Sequence, residues 1–463
     1  MKKRIHSVVG TLLSLSMASQ AFALGTGSYS SEIISARSLG EGGTGVSGAQ
    51  DDPIAAYTNP AGMTAIKGTQ VTVGMSYVNA SPTFTDDAGD VSGARATSVV
   101  IPNFGVTTQL LDGKLSFGLA AVTPYGLETH FDGDSPIRYS ATDSRLRLID
   151  VSPAVAYKVC DAFSIGVGAD YYNALEGALS KKVDSANLNG QLTYAGILGG
   201  GGTQGAALAG AAAAAAASTD ADSRLNGNGD GWGYHIGTTI TPNEHHQIGI
   251  VYHSSVKIGL TGNVQLTGLN GAATSVFGGS NFQTSATAPL YMPQNVQIGY
   301  AYKPNDRLQI DVDAAWYDWY SARQLGVVYS GLTAAQNQVL QSGNPEVFNP
   351  RKTINFGFGA NYKANDRLQV RGGAYYEAAS TPESAFAPAF VDLPRYALTI
   401  GAGYQLTNDL SFDVAYNAIF FHTRHIDDPN TATFGGSNGY SGSFDSFANL
   451  ISANAKYRFD THF

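Results

Sequence analysis

Cys160 is the single cysteine of this 463-residue chain, so no internal disulfide can form. Charge is scarce as well. Asp, Glu, Lys and Arg make up 14% of the residues, where a soluble domain carries about 25%. A membrane-crossing helix needs about 20 consecutive apolar residues. Past the N-terminal leader no run reaches that length; the longest low-polarity stretch, Gly205 to Ala217, is short and mostly alanine. Basic residues are outnumbered 27 to 36, and the formal charge of −9 lacks the basic footprint of a nucleic-acid binder. What is plentiful is glycine, at 55, and tyrosine, at 25. Low charge with abundant Gly and Tyr fits an exported membrane barrel better than a soluble two-domain protein.

The N-terminus reads as an export signal. Lys2, Lys3 and Arg4 form a basic start, Val8 to Ala18 an apolar run, and Ala21-Phe22-Ala23 a small-x-small cleavage pattern. The apolar run is too short for an anchor, so residues 1–23 are expected to be removed and the mature chain to begin at Leu24. Losing three basic residues takes the formal charge from −9 to −12.

Period-two alternation dominates the remainder. Val296, Ile298, Tyr300 and Tyr302 alternate with Gln297, Gly299 and Ala301. Leu308, Ile310, Val312, Ala314 and Trp316 alternate with Gln309, Asp311 and Asp313. Ile354, Phe356, Phe358, Ala360 and Tyr362 alternate with Asn355, Gly357, Gly359 and Asn361, and Leu410, Phe412, Val414 and Tyr416 with Ser411, Asp413 and Asn417. Segments about ten residues long, apolar on one face and polar or small on the other, suit a wall between lipid and a wet lumen. A turn motif punctuates them. Tyr302-Lys303-Pro304-Asn305-Asp306-Arg307-Leu308-Gln309 nearly repeats at Tyr362 to Gln369, and more loosely at Tyr404 to Leu410. Leu110 to Leu115, Tyr157 to Phe163 and Thr241 to Gln247 are further short polar links. Six short turns join twelve strands, and one more strand at each end gives fourteen. The expected fold is all-β, a fourteen-stranded antiparallel transmembrane β-barrel over residues 68–463, with short turns in the periplasm and long loops outside.

Tyr157, Tyr302, Tyr362 and Tyr404 at the turn ends, and Trp316 to Tyr320 at a loop end, are expected interfacial aromatics. Residues 24–67 are Gly-rich without sustained alternation, which predicts an N-terminal hatch inside the lumen. Residues 203–218 are Ala-rich, which predicts a helix in a long loop.

Asn59-Pro60-Ala61-Gly62-Met63 follows Gly40-Glu41-Gly42-Gly43-Thr44-Gly45 and Asp51-Asp52-Pro53. With Thr123-Pro124-Tyr125-Gly126-Leu127, Met292-Pro293 leading into Gly299-Tyr300, Trp316 to Trp319, and Asp392-Leu393-Pro394-Arg395-Tyr396, the mature chain resembles the FadL family of outer-membrane hydrophobic-compound transporters. The resemblance implies capture of a long-chain fatty acid or similar molecule by extracellular loops, a pocket in the lumen, and lateral release into the bilayer at a kink in the third strand. It places the hatch asparagine at Asn59, beside Pro60 and Ala61, where it would bond the kink. It places the kink at Pro124, Tyr125 and Gly126. A basic head-group site falls near Arg351, with Lys352 beside it and Lys181 next to a second family position at Ser180. The C-terminal phase from Ile451 to Phe463 resembles the signal read by barrel assembly machinery. Aromatic hydrocarbon uptake and a general diffusion porin are the alternatives; the hatch segment argues against the porin.

Enzyme readings are weaker. Gly40, Gly42 and Gly45 satisfy G-x-G-x-x-G, but no strand precedes them and no βαβ unit follows. His245-His246 lie at a turn and His422, Arg424 and His425 near a loop, where solvated side chains are expected. Asp170, Asp311, Asp313 and Asp413 are expected to face the lumen in ion networks with inward arginines such as Arg371. No catalytic residue, cofactor or metal site is assigned. The expected partners are a hydrophobic small molecule, outer-membrane lipids and the barrel assembly machinery, with the chain acting as a monomer.

Overall fold

Strands with one apolar and one polar face, joined by tight Asn-Asp turns, close on themselves when every backbone group must be paired within the protein. The computed structural model describes residues 34–93, 97–342, 344–428 and 440–459. The expected signal peptide, the first ten residues of the hatch segment and Phe463 lie outside them. Fourteen antiparallel strands form one closed barrel. In chain order they are Thr69–Ala80, Thr97–Leu110, a third strand in two pieces (Leu115–Val122 and Gly126–His130), Asp143–Cys160, Phe163–Val183 and Ala221–Asn243. The seventh (His246–His253 with Val256–Thr267) and eighth (Asn281–Met292 with Gln294–Asn305) are also in two pieces. Leu308–Asp318, Thr353–Lys363, Leu368–Glu377, Arg395–Gln405, Leu410–Phe421 and Phe447–Phe459 complete the set. The first strand pairs with the last from Thr69↔Phe459 to Ala80↔Ala448, which closes the wall.

The alternation read from the sequence is the inside–outside division of this wall. Ile298, Phe356, Phe358 and Val414 are each about half exposed on the outer face, whereas Asp311, Asp313, Asn361 and Asp413 are buried on the inner one. The six short turns join the second strand to the third, and so on to the twelfth and thirteenth. In two of them the side chains of Asn305 and Asn365 accept bonds from backbone N–H groups two and three residues on, which is why Asn-Asp recurs there. The fifth and sixth strands run 21 and 23 residues, well past the ten or so that span a bilayer, and carry the loops outward.

Above the wall, a helix at Gln204–Ala216 packs against a second at Ser185–Gly199 that the composition did not announce. Residues 83–86, 91–93, 424–428 and 440–445 form a small outer sheet. No described helix is long and apolar enough to cross a membrane.

The third strand breaks at Thr123-Pro124-Tyr125. Up to Ala121 it pairs with the second strand, ending at Phe104↔Ala121. Beyond the break, Gly126–His130 pairs with the fourth strand, from Gly126↔Arg147 to His130↔Asp143. In the described ladders the second strand continues to Thr97 in register with the first, and Tyr125 makes an isolated bridge. The described ladder therefore opens between residues 97–103 and 126–130. Proline supplies no N–H to a neighbouring strand, which accounts for the interruption at this point.

Candidate functional site

Residues 34–67 lie against the inner face of the wall, bonded to inward side chains such as Thr399, Asp311 and Asp313. Three short helices, Ala36–Gly40, Ala55–Thr58 and Pro60–Ala65, are joined by backbone that side chains of the wall hold in place. Asn59 is the central fastener. Its Nδ2 donates to the carbonyls of Val46 (2.8 Å) and Thr238 (3.1 Å), and its Oδ1 accepts from Ala61 N–H, capping the helix that Pro60 opens. Thr238 lies on the sixth strand, so the bond expected between Asn59 and the third-strand break is corrected. Glycines in the wall make this approach possible. A Cβ on Gly249 would sit 1.9 Å from Val46 O, and one on Gly237 would sit 2.3 Å from Asn59 Oδ1. Asn59→Ala leaves buried groups without partners, each costing about 1–3 kcal/mol. The expected outcome is faster protease cleavage within residues 34–67 and faster liposome swelling, with the barrel circular dichroism unchanged.

The inward carboxylates are divided among different tasks. Asp313 accepts from the N–H groups of Gly45 and Val46, and Asp311 from Ser47 Oγ. Asp413 pairs with Arg371, which also reaches Glu41 of the hatch at 3.1 Å. The expected Arg371 network thus holds for Asp413, while Asp311 and Asp313 bind hatch groups instead and Asp170 meets histidines. Polar satisfaction of irregular hatch backbone, which lipid cannot provide, is the physical reason.

Above the hatch lies a series of cavities. An outer vestibule of about 1590 Å³ is bordered by Lys181, Glu346, Leu340 and Tyr329. It shares Leu179, Leu225, Leu325, Val327 and Phe348 with an inner apolar cavity of about 800 Å³ lined also by Leu146, Leu260 and Leu290. Leu127, Ala322, Phe348 and Phe390 connect this to a pocket of about 460 Å³ that reaches Trp319. Beyond Trp319 a further chamber of about 460 Å³ lies between the hatch and the strand break, lined by Val46, Tyr57, Pro124, Tyr125 and Tyr317. Tyr125 and Trp319 meet edge-on, 6.2 Å between ring centroids, and Tyr317 stacks on Trp319 at 6.2 Å, so an aromatic partition separates the last two spaces. Below the hatch, a polar cavity of about 1690 Å³ opens among the short turns at Asn305, Arg307 and Arg367.

The structure does not gather the expected head-group residues. Arg351 is exposed, donates its backbone N–H to Ser380 O, and borders none of these cavities. Lys352 is exposed with its Nζ 5.4 Å from the centre of the Trp316 ring. It shares the outward phase of Ile354 and Phe356, which explains why it misses the lumen. Lys181 does line the vestibule. Burial lowers its pKa below the usual lysine value, partly offset by Glu346, whose own pKa burial raises. Arg145 borders the inner cavity, but Asp143 at 2.9 Å and Glu176 at 3.8 Å already occupy it. Pro124 and Tyr125 border the inner chamber, and Gly126 begins the second piece of the third strand.

One cluster was not anticipated. Asp170 Oδ1 lies 2.6 Å from His235 Nδ1, and His253 Nδ1 lies 3.8 Å from Asp170 Oδ2. His235 Nε2 is 2.8 Å from Ala56 O of the hatch.

Comparison with known proteins bears on the whole chain. It is 23% identical to outer membrane protein P1 of Haemophilus influenzae over 99% of this chain and 100% of that protein. It is 23% identical to the long-chain fatty acid transport protein of Escherichia coli, over 82% of this chain and 84% of that one. Its fold is that of a Pseudomonas aeruginosa FadL homologue (TM-score 0.77, 22% identity, 92% of this chain and 98% of that one). The Ralstonia pickettii toluene transporter TbuX is similar in fold at a TM-score of 0.64, with 20% identity over 92% of this chain and 98% of that one. The family described as outer membrane protein transport protein (OMPP1/FadL/TodX) matches residues 14–459, and the chain belongs to that family.

Proposed function

We propose that this protein takes up long-chain fatty acids or related acyl molecules and releases them sideways into the bilayer at the third-strand break. Membership of the family makes it an outer-membrane transport protein for hydrophobic small molecules and not an enzyme. The observation that carries the finer reading is the apolar cavity continuing toward a wall opening rather than toward the periplasm. Each methylene that leaves water gains about 0.8 kcal/mol, so an acyl chain is held by such a route and rejected by the polar cavity beneath the hatch. Lys181 at the vestibule, basic and half-buried, is the proposed partner of the carboxylate.

The second reading, aromatic hydrocarbons, is favoured by the Tyr125–Trp319–Tyr317 partition, whose ring faces suit a planar apolar solute. Lys181→Met separates the two. Oleate binding is expected to weaken by about 1.5–3 kcal/mol, the range of a charge-assisted hydrogen bond, with toluene binding unchanged. Equal affinities of variant and wild type for oleate would remove Lys181 from the site. The wild type adds a pH signature. Lys181 must be a cation to hold a carboxylate, and its pKa is lowered, so oleate affinity falls as pH rises through that lowered value. Toluene affinity stays flat across the same range.

Ala288→Trp tests the route for both solutes. Ala288 lines the inner cavity and is buried, so an indole there occupies the passage. Uptake of oleate and toluene by cells is expected to drop together, while normal uptake by a folded variant would move the route elsewhere.

A further inference from the structure

Beside the chamber at the strand break, three inward side chains from three adjacent strands converge. His235 on the sixth strand faces His253 on the seventh across the ladder, with ring centroids 5.0 Å apart and nearly parallel. Asp170 on the fifth reaches both. We propose that Asp170, His235 and His253 bind one divalent transition-metal ion of the zinc class, and that the ion fastens the hatch to the wall. One ligand atom from each lies within 4.8 Å of the others. Modest side-chain rotation brings two imidazole nitrogens and a carboxylate oxygen to the roughly 2.0–2.2 Å bonds that such an ion uses.

Three further observations point to a ligand here. His253 is 2% exposed, yet among the described residues neither ring nitrogen has a hydrogen-bond partner. A buried imidazole normally has one, and a metal bond would supply it. His235 is oriented from behind by the 2.8 Å contact between Nε2 and Ala56 O. A metal-bound histidine usually donates its far N–H to just such a carbonyl, leaving the other nitrogen free for the ion. Asp150, on the fourth strand in register with Tyr172, is fully buried with no basic side chain paired to it among the described residues. It shares the inward face with Asp170. Two carboxylates and two neutral imidazoles balance one divalent cation. The mixed nitrogen and oxygen donors favour zinc over calcium or magnesium, which take oxygen throughout.

The consequence falls on the hatch. Ala56 and Tyr57 belong to its helix Ala55–Thr58, and the Tyr57 ring lies 4.9 Å from that of His253. An ion at the histidines would hold this helix beneath the partition at Tyr125.

The test uses the full mature chain without a histidine tag, refolded with and without Zn²⁺ and then dialysed. Elemental analysis is expected to find one zinc per chain, and zinc is expected to raise the thermal unfolding temperature. His253→Gln and Asp170→Asn should lose both effects, whereas His245→Gln with His246→Gln, at an exposed turn, should keep them. Heat-modifiable gel migration checks that each variant has folded. Should the variants fail to fold, refolding the wild type with Co²⁺ decides the matter. An intense visible band of tetrahedral cobalt supports the site, and a spectrum of hydrated cobalt overturns it. Substoichiometric zinc in the wild type, or zinc retained by His253→Gln and lost with His245 and His246, also overturns it.

Discussion

A barrel lacking residues 24–65 is expected to assemble and to leak. The wall keeps its own ladder from Thr69 to Phe459, closed by twelve paired positions between the first and last strands, and none of those bonds depends on the hatch. What disappears is the material between the cavities above and the polar cavity of about 1690 Å³ below. Asp311, Asp313 and Thr399, which now meet hatch groups, are left to water. Water can satisfy them in an open lumen, so the cost to stability is modest, whereas the change in permeability is large. Liposome swelling in arabinose or sucrose should rise from near background to the range of an open porin. Heat-modifiable migration on a gel separates a leaky barrel from an unfolded one. Swelling that stays at background in a folded deletion variant would mean that the outer loops, and not residues 24–65, close the channel.

The wall was legible in the sequence because one period-two pattern carries two kinds of information. Ile354, Phe356 and Phe358 had to face lipid if Gly357 and Gly359 faced the lumen, and the repeated Asn-Asp turns fixed where each hairpin reversed. The same parity, carried one step further, puts Lys352 outside with Ile354, although it adjoins the head-group position that the resemblance implies at Arg351. Elsewhere parity fails for a physical reason. At Leu175 the fifth strand has an irregular register, with Ala174↔Gly229 followed by Gly177↔Gly227. Counting alternate residues from the turn at Cys160 therefore gives the wrong face for residues near Lys181. A second shift, between His246 and Ile248, brings His253 opposite His235. Bulges of this kind have no strong residue signature, so the meeting of Asp170, His235 and His253 could not be read from spacing. Hatch contacts were invisible for another reason. Asn59 bonds Val46 and Thr238, 13 and 179 residues away, through backbone carbonyls that carry no residue identity.

Restoring a regular third strand should stop transport without stopping capture. Pro124 has no N–H to offer the second strand, and Gly126 has no side chain to favour extended backbone. Replacing both with valine returns a donor at residue 124 and strengthens strand geometry at residue 126, beside its partner Arg147. If pairing then propagates from Ala121 toward residues 126–130 along the free edge at 97–103, the opening closes. The vestibule, bordered by Lys181 and Leu225, lies outside the change, and the inner cavity meets the altered segment only at Leu127. Oleate should bind purified Pro124→Val/Gly126→Val with close to wild-type affinity, while cellular uptake falls to the level of a strain lacking the protein. A single Pro124→Val should give an intermediate loss. The outer-membrane level of the variant, measured by heat-modifiable migration, guards against a trivial loss through misassembly. Full uptake by a well-assembled double variant would rule out the lateral exit and direct attention to the hatch. The deletion of residues 24–65 then becomes the decisive comparison, since an axial route requires those residues to move and a lateral route does not.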